Sequence, residues 1–329
     1  MAKKNQTPCA EKFKTMIGGQ ALIEGIMMRG PEKDAIVVRT NDGLKVDVKP
    51  RKVHKKGSFA TWPLIRGVVG FFDAQMVGIQ AIMQSADLAP EEAQGEQSKL
   101  DKWLDEKLSN EKFRNGILGV MVAISLLFSI GLFFIVPMLL GNVLRHWIHN
   151  ELVINLLEGL IRMLIFAGYM LLVSTMKDMK RVFAYHGAEH KTIRCYEAGL
   201  PLTVENVQKM TRLHPRCGTS FLLVVMLLSI LVFSLASSLL GLIPGLDVLA
   251  GSKLIKIVLK LALIPLVVAI AYEINRLVGR YDNWFTRILT APGMWMQNFT
   301  TQEPDDSMVE VGIAAVEAVL PVKEGDDKW

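Results

Sequence analysis

His186-Gly187-Ala188-Glu189-His190 is an H-x-x-E-H segment whose residue types and spacing suit divalent-metal chemistry. On a helix, residues four apart stand one turn above each other, so both imidazoles point the same way and can grip one ion. Glu189, three residues after the first histidine, falls on the same face, within reach of a water held by that ion. This is the inverted zincin order, in which two histidines hold Zn2+ and the glutamate handles protons. The competing reading is a solvated helix face with i,i+4 pairs, helped by Lys191 and Arg194, because short matches arise by chance.

A second cluster strengthens the metal reading. His214-Pro215-Arg216-Cys217 offers an imidazole and a thiol three residues apart, both suited to Zn2+. With the first pair it would make a tetrahedral His3Cys set. A closed four-ligand site is structural, whereas a catalytic one keeps a position for water. If only three side chains bind, Glu189 is the expected general base. Cys195 lies off the stripe and is expected to be packing. Two further carboxylates are weaker ligand candidates. Glu273 is expected to pair with Arg276, and Glu24 with Arg29.

These groups need elements to hold them. Residues 178–198 have helical composition, closed by Gly199 and Pro201. Thr203 is expected to cap a short helix to about Leu213, which Pro215 ends by pushing His214 out of the α region. On either side the chain is strongly apolar. Residues 115–144 and 217–246 carry no charge over 30 positions each, more than the roughly 20 that a membrane-crossing helix needs.

Four spans are expected, at 115–144, 152–175, 217–243 and 254–273. Glu158 and Arg162 lie inside the second, where they are expected to pair, joined by Lys256 or Lys260 from the fourth. Eight Lys/Arg between residues 176 and 216, against one in each short connection 142–151 and 247–253, put that loop and both termini on the cytoplasmic side.

Ahead of the spans, residues 1–13 are expected to be disordered and residues 14–60 a small β-rich cytoplasmic unit. Ala35–Arg39 and Leu44–Val48, joined by Asn41-Asp42-Gly43, read as a hairpin. Gly18, Gly19 and Gly25 suggest tight turns or close backbone approach. Residues 49–56 carry five cations, suited to a solvated loop or an anionic leaflet. Residues 61–86 read as an interfacial or re-entrant helix capped by Thr61, and 87–114 as an acidic linker with an amphipathic helix. Residues 274–329 form a cytoplasmic C-terminal region with a short amphipathic helix from Val309 to Leu320. The fold class is mainly α and polytopic.

Composition agrees. The 329 residues are 51% hydrophobic, too apolar for an ordinary soluble domain of this size. The net charge of +5 is better matched to anionic lipid headgroups than to nucleic acid. Three cysteines, Cys9, Cys195 and Cys217, give no disulfide framework and point to reduced thiols. The first residues lack the apolar core of a signal peptide.

Together these motifs resemble the YqhQ-like family of uncharacterised bacterial membrane proteins, a domain-of-unknown-function group often labelled metal-dependent enzymes. The resemblance is carried by Ile17-Gly-Gly-Gln-Ala21, Glu24-Gly-Ile-Met-Met-Arg-Gly30, Pro63-Leu-Ile-Arg-Gly-Val-Val69, His186-Gly-Ala-Glu-His-Lys191 and Leu213-His-Pro-Arg-Cys-Gly-Thr-Ser-Phe221. Tyr272-Glu273, Ala291-Pro-Gly293 and Thr300-Thr-Gln-Glu-Pro-Asp-Asp306 complete it over about residues 15 to 320. True inverted zincins take a third ligand from a downstream glutamate, a role for which Glu273 is only a weaker candidate here, which leaves peptidase activity open.

The leading expectation is a zinc-dependent membrane enzyme, most simply a hydrolase acting on a membrane peptide or a lipid headgroup. The rival is a non-catalytic membrane adaptor with a structural His3Cys zinc site. A third reading, an ion or solute transporter, rests on Glu158 and Arg162.

Overall fold

The computed structural model describes residues 11–51, 57–90, 111–242, 253–281, 283–323 and 325–328. The expected disordered start as far as residue 10, the cations of 52–56, most of the 87–114 linker and the connection up to residue 252 lie outside them. The chain divides into two compact units. One comprises residues 1–93, 170–224 and 268–329, and the other 94–169 and 225–267.

The first unit is built on a four-stranded antiparallel meander: β1 (Gly18–Leu22), β2 (Gly25–Arg29), β3 (Lys33–Thr40) and β4 (Gly43–Pro50), in sequential order. The period of two sends alternate side chains to opposite faces. Ile26, Met28, Ala35 and Val37 join one buried cluster, while Met27, Ile36 and Val38 join another. Because both faces are covered, β2 and β3 read as continuous apolar runs instead of alternating ones. The hairpin expected around Asn41-Asp42 forms, with Thr40 opposite Gly43 at φ +121°. Gly18, Gly19 and Gly25 lie within strands instead of turns. Gly19 and Gly25 make the close backbone approach also expected of them, since a Cβ would stand 2.7 Å from the Met27 carbonyl at the former and 2.5 Å from the Val37 carbonyl at the latter. The tight turn falls at Ile23-Glu24, where Glu24 takes φ +51°.

Helix α1 (Ile65–Leu88) covers the second sheet face through Ala81. Its start differs from the expected one. Trp62 precedes Pro63 and is extended, so Thr61 ends a short 3-10 turn and Leu64 stands at the head of the helix. The other side of α1 leaves Phe72, Met76, Ile79 and Met83 exposed in an apolar stripe, a pattern suited to the membrane interface.

The first sheet face is covered by two helices. The His/Glu segment lies on Lys177–Glu197, and the C-terminal helix on Asp306–Val319. Ala184, Tyr185 and Ala188 of the former and Val309, Val311, Ala315 and Val316 of the latter are all fully or nearly fully buried against the strands.

Among the described residues, four helices are long and apolar enough to cross a membrane: Ala123–Leu144, Val153–Thr175, Gly218–Ala236 and Ile257–Arg280. They match the four expected segments, and the fold is mainly α with a small N-terminal sheet. In chain order the helices after α1 are α2 (Glu111–Ile130), α3 (Val136–Leu144), α4 (Glu151–Thr175), α5 (Lys177–Glu197), α6 (Val204–Gln208), α7 (Gly218–Leu242), α8 (Lys253–Arg280), α9 (Trp284–Thr300) and α10 (Asp306–Val319). Helix α6 is capped by Thr203 as expected but ends at Gln208, five residues short of Leu213.

In the second unit the charges are paired differently from the expected mutual pair. Glu158 meets Lys260 at 2.6 Å. Arg162 instead donates to the Phe133 carbonyl, in the π-helical turn Gly131–Ile135, and to Ser229 Oγ, with Phe134 and Phe233 rings around it. A guanidinium has five N–H donors to satisfy, and one carboxylate on its own helix is a poor match for that geometry.

Candidate metal centre

Helix α5 is pinned at both ends before any ligand is considered. Near its start Glu24, itself buried, takes Arg181 in a two-pronged ion pair at 2.5 and 2.6 Å and accepts from the Tyr185 hydroxyl at 3.1 Å. This corrects the expected Glu24–Arg29 pair: Arg29 is held by Asp34 and Asp73. Near its end, buried Glu197 accepts from Arg216 and the Thr15 amide, and meets His214 Nε2 at 3.3 Å. Lys191 is not on a solvated face either. It is buried and reaches Gln208 and Glu303.

Between these anchors, His186, His190 and Cys217 present one ligand atom each, and the three atoms lie within 4.8 Å of one another. The two imidazole centroids are 4.4 Å apart. His186 Nδ1 lies 2.7 Å from the Thr300 carbonyl and His190 Nδ1 lies 2.6 Å from the Arg212 carbonyl. A carbonyl only accepts, so both Nδ1 atoms carry the proton and both Nε2 lone pairs are left for another partner. Metal-ligating histidines are oriented in this way, by giving the second ring nitrogen's proton to a carbonyl or carboxylate. Buried His190 Nε2 has no hydrogen-bond partner among the described residues. His186 Nε2 faces Cys217 Sγ at 3.1 Å.

Cys217 immediately precedes α7, and its sulfur receives the Thr219 amide at 3.4 Å. A helix N-terminus favours the thiolate. Burial pushes the thiol up, but His190 and Thr219 outweigh it, and the group lies below its usual range. Burial also holds His190 neutral, with its pKa lowered to about 4. A neutral imidazole and an acidified thiol are the protonation states that bind a metal.

Glu189 sits between the histidines and is buried. Burial raises its pKa to about 7; His186 opposes the shift, Cys217 adds to it and the Gly19 amide opposes it. One oxygen, Oε1, accepts from Gly19 N–H at 3.1 Å, while Oε2 has no partner among the described residues.

Two expected contributors lie elsewhere. His214 is not in the group of three; burial and nearby Arg216 hold it neutral against Glu197. Glu273 is taken by Arg66 of α1 and the Leu64 amide, instead of Arg276, because that carboxylate closes the otherwise open start of α1.

The chain matches the model of a family described as a protein of unknown function (DUF1385) over residues 62–322. It is 34% identical to the uncharacterized protein YqhQ of Bacillus subtilis (strain 168), over 94% of this chain and 93% of that protein. The chain belongs to this family. Family membership assigns no reaction, and no solved structure matches the chain.

Several residues that shape the centre were not singled out from sequence. Thr300 and Arg212 supply the carbonyls that orient the histidines. Arg212 in turn donates to the Thr301 carbonyl at 2.6 Å. Fully buried Gln297 accepts from the His214 amide and donates to the His214 carbonyl, both at 2.7 Å. Gly187 admits the same segment, since a Cβ there would stand 2.0 Å from the Gln302 carbonyl. The signal available was the Thr300–Asp306 motif, whose polar residues have a larger role than starting a helix.

Proposed function

We propose that the protein is a membrane-embedded zinc-dependent hydrolase. His186, His190 and Cys217 hold the ion, and Glu189 serves as general base. The carrying observation is the shared orientation of His186 and His190, each with Nδ1–H spent on a backbone carbonyl, together with one ligand atom from each of them and from Cys217 within 4.8 Å of one another.

Three ligands leave a tetrahedral ion one open position, as catalytic zinc sites have. The engagement of His214 by Glu197 supports this over a closed four-ligand site. When bound, zinc polarises a carbonyl or phosphoryl oxygen and acidifies a water. Glu189 Oε2, unpartnered among the described residues, would take that water's proton, while Gly19 N–H holds Oε1 and fixes the carboxylate's orientation. The proton is then available for the leaving group. The substrate class is an ester or amide bond of a membrane peptide or lipid headgroup. The basic 176–216 loop supports a cytoplasmic location for the centre and both termini.

Metal content per chain after mild detergent purification tests this. Near-stoichiometric zinc is expected in wild type and in Glu189→Gln, and large losses in His186→Ala, His190→Ala and Cys217→Ala. Glu189→Gln is expected to fail in restoring a strain deleted for the gene. Absence of zinc from wild type after zinc supply overturns the reading, as does full restoration by Glu189→Gln.

A further inference from the structure

The first unit contains a cleft of about 290 Å3 that the metal centre does not use. Its lining includes Lys14, Arg194, Arg216 and Arg287, against one carboxylate, Glu11, together with Tyr281. Glu11 pairs with Arg194 and Glu197 with Arg216, and the four cations still leave a positive excess in a small cavity, which suits a compact anion. Arginine forks fit the oxygens of a phosphate. Arg194 and Arg216 are held in place by neighbouring groups, Arg194 by the Leu213 carbonyl at 2.6 Å and Glu11 at 3.2 Å, and Arg216 by Glu197. Thr286 and Thr290 of α9 also line the wall, with their hydroxyls donating to backbone carbonyls of the same segment. The volume suits a headgroup and is far too small for a polymer.

The position in the chain indicates the source of the phosphate. Arg216 lies two residues before the apolar segment beginning at Gly218, and Tyr281 directly follows the one ending at Arg280. Basic pockets at span ends bind lipid headgroups. Helix α9, which forms one wall, exposes Trp284, Phe285, Ile288 and Trp295 at 74, 55, 61 and 58%. Tryptophan and other large apolar side chains on an exposed helix are suited to the bilayer interface.

We infer that this cleft binds the phosphate headgroup of an anionic phospholipid, with α9 lying in the interface beside it. The test uses the full chain in detergent and follows thermal unfolding. The probes are dihexanoyl phosphatidylglycerol, dihexanoyl phosphatidylcholine and inorganic phosphate. A ligand that binds the folded state raises the midpoint saturably. Phosphatidylglycerol is expected to do so, with its apparent affinity falling about tenfold or more in Lys14→Gln/Arg287→Gln, since each loses a charged contact. Lys45→Gln, on the exposed strand β4, is expected to match wild type.

The inference is overturned if no probe gives a saturable shift, or if the double variant binds like wild type. Equal effects of phosphatidylcholine overturn the choice of an anionic headgroup. Equal effects of inorganic phosphate overturn the lipid and leave a soluble phosphate as the occupant.

Discussion

Gly19 gives its backbone N–H to Glu189 Oε1 at 3.1 Å, which ties strand β1 to the candidate base on α5. The approach needs glycine, because a Cβ at position 19 would meet the Met27 carbonyl at 2.7 Å, Met28 Sδ at 2.8 Å and the Glu189 carboxyl carbon at 3.0 Å. Gly19→Ala therefore displaces strand or carboxylate, at about 1–3 kcal/mol, the usual cost of overpacking. His186, His190 and Cys217 are untouched. The expected result is a lower unfolding midpoint with zinc stoichiometry retained, together with poor restoration of the deletion strain. An unchanged midpoint and full restoration would show that the contact is dispensable.

His214 separates an open centre from a closed one. It is buried beside Glu197 and Arg216. Replacing it by Gln removes the imidazole beside Glu197 but none of the three grouped ligands. Zinc content is expected to match wild type while stability falls by about 1–3 kcal/mol, as for a disturbed buried polar partner. Zinc loss comparable to that of His190→Ala would restore the four-ligand reading.

Much of the architecture is legible in the chain because it rests on local signals. The 30-residue uncharged runs can only be satisfied in apolar surroundings, and the Asn41-Asp42-Gly43 turn between β-branched runs is a local hairpin signal. The i,i+4 spacing of His186 and His190 likewise follows from helix geometry alone. What sequence left open were choices among distant partners. Glu24 and Glu273 each had a cation a few residues away, yet each pairs with one from a remote segment, Arg181 and Arg66, while Glu158 meets Lys260, one of the two lysines expected beside it, without Arg162. Proximity along the chain is a weak guide once a fold brings other cations to a buried carboxylate. The same limit hid Thr300 and Arg212, whose contribution is a backbone carbonyl and leaves no mark in residue type.

Asp305 connects pH to the helix that closes the sheet. Its carboxylate caps α10 by accepting from Met308 N–H at 2.9 Å, and also accepts from the Ser307 hydroxyl at 2.7 Å. Burial pushes its pKa up, but these hydrogen bonds outweigh it and the carboxyl lies below its ordinary value. The folded state thus favours the charged form. The resulting stability is present above the unfolded value of about 3.9 and is lost as pH falls through the folded one. Asp305→Ala is expected to cost about 1 kcal/mol near neutral pH, as for other lost caps. Asp305→Asn retains the cap and gives up only the charge at the helix start. The gap between Asn and wild type, followed by thermal unfolding from pH 6 to 3, is expected to narrow toward pH 3. A gap that widens on acidification would contradict the sign.

The Glu158–Lys260 pair tests whether the spans carry ions. Both side chains are largely shielded, at 6 and 12% exposure, and the bond is 2.6 Å. Removing one partner leaves a buried charge without compensation, at about 3–5 kcal/mol, whereas replacing both by apolar groups of similar volume is often neutral. Glu158→Leu and Lys260→Met alone are expected to lower the detergent-state unfolding midpoint, and the double substitution to recover most of it. If the pair only holds helices together, the double variant also restores the deletion strain and keeps its zinc. Recovered stability and retained zinc without recovered function would instead give the carboxylate a part in moving a charge through the membrane, and would favour the transporter reading over the proposed hydrolase.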